Sequence, residues 1–200
     1  MILAAIPIKP FGVAKARLSP VLGPAQRSEL GRAVAARTAR LSAEAGAEVV
    51  VVTGDHGVAE WAKRGGLGVL MEDTGLADGL NGAATTAAHH ASALGLPWVV
   101  VHADLPVATA DDLRTVFDAA AYGPVIVPSH DAGTNLIGGA APSFPFAYGV
   151  GSFHRHLAAI PDATVITSQR LALDLDNPRD LDVALHSATG MWLADVIDPT

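Results

Sequence analysis

An α/β fold with a mostly parallel sheet, covered by helices on both faces, is what this 200-residue sequence predicts. Short apolar runs alternate with helical stretches along the chain, the order that parallel strands and crossover helices produce. The runs are rich in valine and apolar throughout instead of alternating, as strands buried on both faces are. Half of the residues are hydrophobic and only 5% aromatic. The core must therefore be made mainly of Ala, Val, Leu and Ile, in a chain long enough to bury it without covalent staples.

In chain order, residues 2–8 form an apolar strand that Lys9-Pro10-Phe11-Gly12 ends, and a loop runs from there to about Pro24. From Ala25 the spacing of Leu30, Val34 and Leu41 predicts a helix that stops near Gly46. Val49–Val52 is the second strand, and after a turn at Gly54-Asp55 a short helix covers Val58–Lys63. Leu67–Met71 is the third strand. Asp78-Gly79-Leu80-Asn81 opens an Ala-rich helix that ends near Gly95, and Trp98–Val101 is the fourth strand. A helix over Asp111–Ala121, a strand over Val125–Val127, a loop over Ser129–Asn135 and a strand over Leu136–Ala140 follow. Val150–Ile160 reads as a helix, Ala163–Ile166 and Ala172–Leu175 as strands, and Arg179–His186 as the last helix. No repeat or linker divides the chain, so residues 1–200 are expected to be one domain. Residues 190–200 stand apart as a tail or an oligomer contact.

Composition removes several function classes. With no cysteine, disulfides, thiolate metal sites and a cysteine nucleophile are excluded. The net charge of −7 argues against a general nucleic-acid binder. The apolar start is too short for a membrane span, and the basic residues follow it, the wrong order for a secretory signal; a soluble cytoplasmic protein is expected. Charge is unevenly spread. Residues 1–40 hold seven basic groups (Lys9, Lys15, Arg17, Arg27, Arg32, Arg37, Arg40) against Glu29 alone, while the rest carries 6 basic and 19 acidic groups. A basic opening on an acidic protein suggests a local anion site with carboxylates elsewhere for a metal. Arg32, Arg37 and Arg40 read as a solvated helix face.

Ligands of open parallel sheets bind beyond the carboxyl ends of the strands, which selects four groups. Lys9, Gly12, Lys15, Arg17 and Ser19 follow the first strand and suit a polyphosphate, Arg offering a fork of donors and Lys a point charge; a basic surface loop is the plain alternative. Asp104, in His102-Ala103-Asp104-Leu105-Pro106, follows the fourth strand, where a hard cation such as magnesium explains an otherwise costly carboxylate. Its alternative role as a helix cap suits Thr109 and Asp111 better. Asp174 and Asp176 lie on the same side of an extended segment and could join Asp104 around one metal, or one of them could cap the next helix; Asp180 reads as an ordinary first-turn residue. Finally, Asp131-Ala132-Gly133-Thr134-Asn135 and Tyr148-Gly149-Val150-Gly151-Ser152-Phe153-His154 pair glycines with a serine at a helix start, an anion site made of backbone N–H groups, or else plain turns. His154 and His156 flank Arg155 beside it as candidates to touch substrate, and His89 and His90 read as surface residues. The P-loop and dinucleotide patterns are absent, as is a GxSxG elbow.

Taken in order, Ile6-Pro7-Ile8-Lys9, Lys15-Ala16-Arg17-Leu18-Ser19-Pro20, His102–Pro106, Asp131–Asn135, Phe146–Phe153 and Asp174-Leu175-Asp176 resemble the guanylyltransferases of coenzyme F-420 biosynthesis, which act on 2-phospho-L-lactate or phosphoenolpyruvate. The match runs from about Ile6 to Asp182. It implies a three-layer α/β/α, nucleotide-diphospho-sugar-transferase-like fold, with GTP as donor and magnesium as cofactor. It also implies roles. Lys9, Gly12, Lys15, Arg17, Asp78, Gly79 and Asn81 would meet GTP; Thr134, Asn135, Gly149 and Ser152 would hold the phosphorylated acid; Asp104, Asp174 and Asp176 would surround the metal. Lys15, Arg17 and Asp104 would be the catalytic set. Ala132 departs from the family, which often has glycine there, and so removes backbone freedom from its loop. The implied partners are small molecules, with a homo-oligomer and a downstream transferase of the pathway left open.

The acceptor is expected to be phosphoenolpyruvate, on the Ala-, Arg- and Asp-rich composition typical of high-GC bacteria; 2-phospho-L-lactate and 3-phosphoglycerate differ from it by few atoms. Competing readings are a nucleotidyltransferase acting on a sugar phosphate or molybdopterin, and a nucleotide-binding regulatory domain without catalysis.

Overall fold

The computed structural model describes residues 1–13, 15–72 and 79–198. Its described strands are β1 (Leu3–Pro7), β2 (Glu48–Thr53), β3 (Gly68–Met71), β4 (Trp98–Val101), β5 (Val125–Pro128), β6 (Thr134–Gly139) and β7 (Thr164–Val165). They form one sheet in the order β3-β2-β1-β4-β6-β5-β7. β1 lies parallel to β2 and β4, β2 to β3, and β5 to β7. β6 alone among the described strands runs antiparallel to its neighbours, β4 and β5. The few residues between β5 and β6 are too short for a crossover and permit only a hairpin.

Successive strand residues point to opposite faces, and both faces are covered. Ala4, Ile6, Val51, Val99 and Val101 pack in one cluster with residues of α1 (Pro24–Glu44), α2 (His56–Arg64) and α4 (Ala110–Ala120). Leu3, Ala5, Val50, Val52 and Val100 pack in a second with α3 (Gly79–Ala93) and α5 (Ser152–Ala159). The result is the three-layer α/β/α arrangement. On α3 the buried side chains Ala83, Ala84, Ala87, Ala88 and Ala91 are small enough for the helix to lie close on the sheet. Thr109 caps α4 and shares a capping box with Asp112, so Asp104 is free of that task.

A third cluster gathers Leu18 and Leu22 of the opening loop, Leu30 and Val34 of α1, Leu175, Leu181 of α7 (Pro178–Leu185) and Leu193 of α8 (Leu193–Ile197). The residues set apart as a tail or oligomer contact thus include a helix whose Leu193 is fully buried beneath the opening loop.

Three local expectations are corrected. Thr134 and Asn135 belong to strand β6 instead of the preceding loop. Ala172–Leu175 is not a strand: Gln169–Ala172 turns as the short helix α6, and the Leu175 N–H is taken by Asp104 O at 2.9 Å, outside any ladder. Arg32 and Arg37 are not simply solvated. The Arg32 guanidinium lies 5.1 Å from the Phe11 ring centre and that of Arg37 5.4 Å from Trp192, where it also donates to Thr189 O. Arg40 does keep to the helix surface, paired with Glu44 one turn on.

Candidate active site

The chain runs β1, β2, β3 toward one edge and then returns to place β4 on the other side of β1. Such a reversal leaves a crevice at the carboxyl ends of the two strands, because the crossovers depart in opposite directions. A cavity of about 450 Å³ lies there, lined by Pro7, Ile8 and Lys9 after β1, by His102, Ala103 and Asp104 after β4, and by Phe11, Lys15, Arg17, Glu72, Gly79 and Asp176 from the surrounding loops.

Lys15 is the hub. Its backbone is left-handed (φ 57°) at the start of the 3-10 turn Ala16–Leu18, an uncommon state for a residue with a side chain. Its Nζ donates to Asp104 Oδ2 at 2.6 Å and to Leu175 O at 2.6 Å. Since the Leu175 N–H donates to Asp104 O, three distant segments close a small ring. Arg17 pairs with Asp176 in the same way, nearer the solvent. Burial would raise the Asp104 carboxyl, but the Lys15 ammonium beside it, helped by His102, holds it below the usual carboxylate range.

Asp174 behaves oppositely. Burial, then repulsion from Asp104, pushes its carboxyl up to about 6. Asn135 Nδ2 reaches Asp174 Oδ1 at 3.4 Å and Leu171 O at 2.9 Å, and His130 Nδ1 stands 3.6 Å from the same carboxylate oxygen. Asn135 therefore joins β6 to the acidic segment. Two carboxylates that raise each other's cost of ionisation are the local chemistry that a divalent cation relieves. Among the described residues no three such groups form a ready-made cage. Magnesium commonly takes one or two carboxylates and completes its shell with water and phosphate oxygens, so a pair drawn from Asp104, Asp174 and Asp176 would suffice. Asp180 does more than occupy a first turn: buried, it accepts the N–H groups of Asp176 and Asn177 at 3.0 and 2.9 Å and so shapes the acidic turn.

The second glycine-rich group lies beside the cavity. Thr134 and Ser152 are buried, with Ser152 Oγ donating to Thr134 Oγ1 at 3.2 Å. Gly149 (φ 123°) and Gly151 (φ 69°) bend the segment before α5. Asn81 Oδ1 accepts the Tyr148 N–H at 2.8 Å, joining α3 to this segment. Ala132 has φ 67°, the left-handed state in which glycine would be unstrained, and its carbonyl accepts the Phe153 N–H at 3.2 Å. Asp131 Oδ1 closes the turn, taking the hydroxyl of Ser129 and the Gly133 N–H; the Ser129 bond above all holds its carboxyl low. A Cβ on Gly133 would sit 2.6 Å from Ser129 Oγ.

Of the residues singled out in the sequence, the cavity brings together Lys9, Lys15, Arg17, Gly79, Asp104 and Asp176. Gly12 lies in the same loop, with nothing within 4 Å of where its Cβ would be. Asp174 sits behind Asp104, whereas Thr134, Asn135, Gly149 and Ser152 are placed beside the cavity and not in its lining. Asp78 lies outside the described residues. Sequence reasoning passed over Glu72, although it follows β3 as Asp104 follows β4, and that position was the signal. It also gave no role to His102, whose Nε2 is buried without a partner and whose pKa is lowered by burial. His156 was read as a neighbour of the anion site that could touch substrate; it is buried and bonded through both ring nitrogens.

A family model described as "Guanylyl transferase CofC like" matches residues 2–191. A phosphoenolpyruvate guanylyltransferase of Chloroflexus aggregans is 34% identical over 195 residues, covering 90% of this chain and 95% of that protein. A 2-phospho-L-lactate guanylyltransferase of Haloterrigena turkmenica is 36% identical, covering 86% of this chain and 79% of that one. Among solved structures, one described as a nucleotide-diphospho-sugar transferase from Desulfovibrio desulfuricans G20 superposes with a TM-score of 0.76 at 19% identity, over 97% of this chain and 94% of that one. A nucleotidyl transferase from Methanothermobacter thermautotrophicus gives 0.60 at 18% identity, over 90% and 94%. At these identities the structural likenesses concern the fold.

Proposed function

From the premise that the chain belongs to the guanylyl transferase CofC-like family, we propose that it transfers GMP from GTP to the phosphate of phosphoenolpyruvate or 2-phospho-L-lactate, releasing pyrophosphate, in coenzyme F-420 biosynthesis. The observation that carries the reading is the Lys15 ammonium, held between Asp104 and Leu175 O at the crevice of β1 and β4. Cations of the opening loop and carboxylates of two distant segments share one mouth, as a charged donor and its metal require.

In the proposed reaction an oxygen of the acceptor phosphate attacks the α-phosphorus of GTP in line. The new P–O bond makes a diphosphate, the α–β bridging P–O bond breaks, and its electrons leave with pyrophosphate. A phosphate is already an anionic nucleophile, so no side chain has to remove a proton. Rate comes from positioning and charge neutralisation. Lys9, Lys15 and Arg17 neutralise the triphosphate and then the leaving group. Asp104, Asp174 and Asp176 would hold magnesium, which when bound supplies positive charge to the phosphoryl oxygens. Thr134, Gly149 and Ser152 orient the acid.

The test is incubation with GTP, magnesium and each acid in turn (phosphoenolpyruvate, 2-phospho-L-lactate, 3-phosphoglycerate), with mass analysis of the product. CTP, a sugar phosphate and molybdopterin serve as controls. GMP joined to one of the acids is expected. Transfer to a sugar phosphate or molybdopterin only, or no pyrophosphate release with any acceptor, would overturn the proposal.

A further inference from the structure

Both ring nitrogens of His156 are engaged. Nε2 accepts the Ala147 N–H at 2.9 Å, so a neutral ring carries its hydrogen on Nδ1. Nδ1 stands 2.9 Å from Thr134 Oγ1 and must therefore be the donor. Ser152 Oγ donates to the same oxygen at 3.2 Å. A threonine hydroxyl has two acceptor lone pairs and one hydrogen. Here both lone pairs are taken, and no acceptor among the described residues takes the hydrogen.

The ring stays neutral for a reason visible around it. Burial, followed by the charge of Arg155 and the nearby His102, brings its pKa down to about 4. Next to it on α5, Arg155 donates to Ala147 O and Val150 O. Two adjacent residues of α5 thus grip the segment that carries Gly149, one by its N–H and the other by its carbonyls.

We propose that His156 is a positioning residue of the acid subsite, tying the buried Thr134 hydroxyl of β6 to the Ala147–Gly151 segment and so fixing that segment where the phosphorylated acid would bind. This rests on the guanylyltransferase reading and deepens it, since it adds a residue that acts through Thr134 and does not itself touch the acid. The reach of the effect is limited to the acceptor. No contact of His156 extends to Lys15, Arg17 or the acidic segment among the described residues.

The experiment compares wild type with His156→Phe, His156→Asn and Thr134→Val in steady-state GMP transfer to phosphoenolpyruvate and 2-phospho-L-lactate. Losing one oriented hydrogen bond of this kind should raise the acid KM about tenfold, with the GTP KM nearly unchanged. His156→Asn, which keeps an N–H donor, should recover much of the loss. Combining His156→Phe with Thr134→Val should be no worse than either alone. Because the phenylalanine variant could fail to fold, nitrogen-15 NMR of unliganded wild type is a separate readout, expected to show the Nδ1–H tautomer. An Nε2–H tautomer, a folded His156→Phe with unchanged acid KM, or equal rises in both KM values would overturn this inference while GMP transfer stands. Absence of GMP transfer by the wild type would overturn both.

Discussion

Lys15 and Asp104 hold each other, and in the proposed reaction a metal and a triphosphate would take over both charges. Replacing Asp104 with Asn keeps the shape and a hydrogen-bond acceptor but removes the carboxylate. Pyrophosphate release should fall by orders of magnitude, with circular dichroism unchanged; a near-normal rate would refute the metal assignment. Ala132 marks a departure from its family that the geometry explains, since its left-handed φ suits glycine. Ala132→Gly should stabilise by about 0.5–1 kcal/mol, read from the urea midpoint. His156 governs a pH effect whose sign follows from its lowered pKa of about 4. An unfolded histidine binds its proton near pH 6.5, so between those values the unfolded chain holds more protons. Stability is then complete above pH 6.5 and is lost as pH falls toward 4, by about 3 kcal/mol at most. His156→Asn should flatten that part of the pH–stability curve relative to wild type.

At the scale of elements, the strands were legible wherever valine and isoleucine ran uninterrupted, because a strand buried on both faces leaves that mark. The start of β6 was not. Thr134 and Asn135 are polar yet buried, and their bonds to His156, Ser152, Leu171 and Asp174 make that affordable. Nor could composition show that Leu173–Leu175 finds its partners outside the sheet, since the deciding acceptor, Asp104 O, lies far away in sequence. The candidate carboxylates and cations were found because the carboxyl-end rule is local to each strand. The tie from His156 to Thr134 was not legible because it depends on a contact between α5 and β6. Gly138, in β6, gives an element-scale prediction. A Cβ there would lie 2.1 Å from Trp98 O, so Gly138→Ala should push β6 from β4 and cost about 3 kcal/mol, seen as a lowered thermal midpoint.

Across the whole molecule, the proposed catalytic mouth is assembled from distant segments joined by the bonds of Lys15 and Arg17 and by a common apolar floor. Leu18 follows Arg17 and Leu175 precedes Asp176, and both rest in the cluster that Leu193 completes. Leu193→Ala should cost about 2–5 kcal/mol and also weaken GTP binding, measured as a raised KM. A variant destabilised to that extent with GTP affinity intact would separate the floor from the mouth.

That floor also orders events during synthesis. The cationic loop leaves the ribosome before the helix that seals its underside. Until α8 is made, the opening loop holds its positive side chains over an incomplete floor, and they settle only once Leu193 is in place.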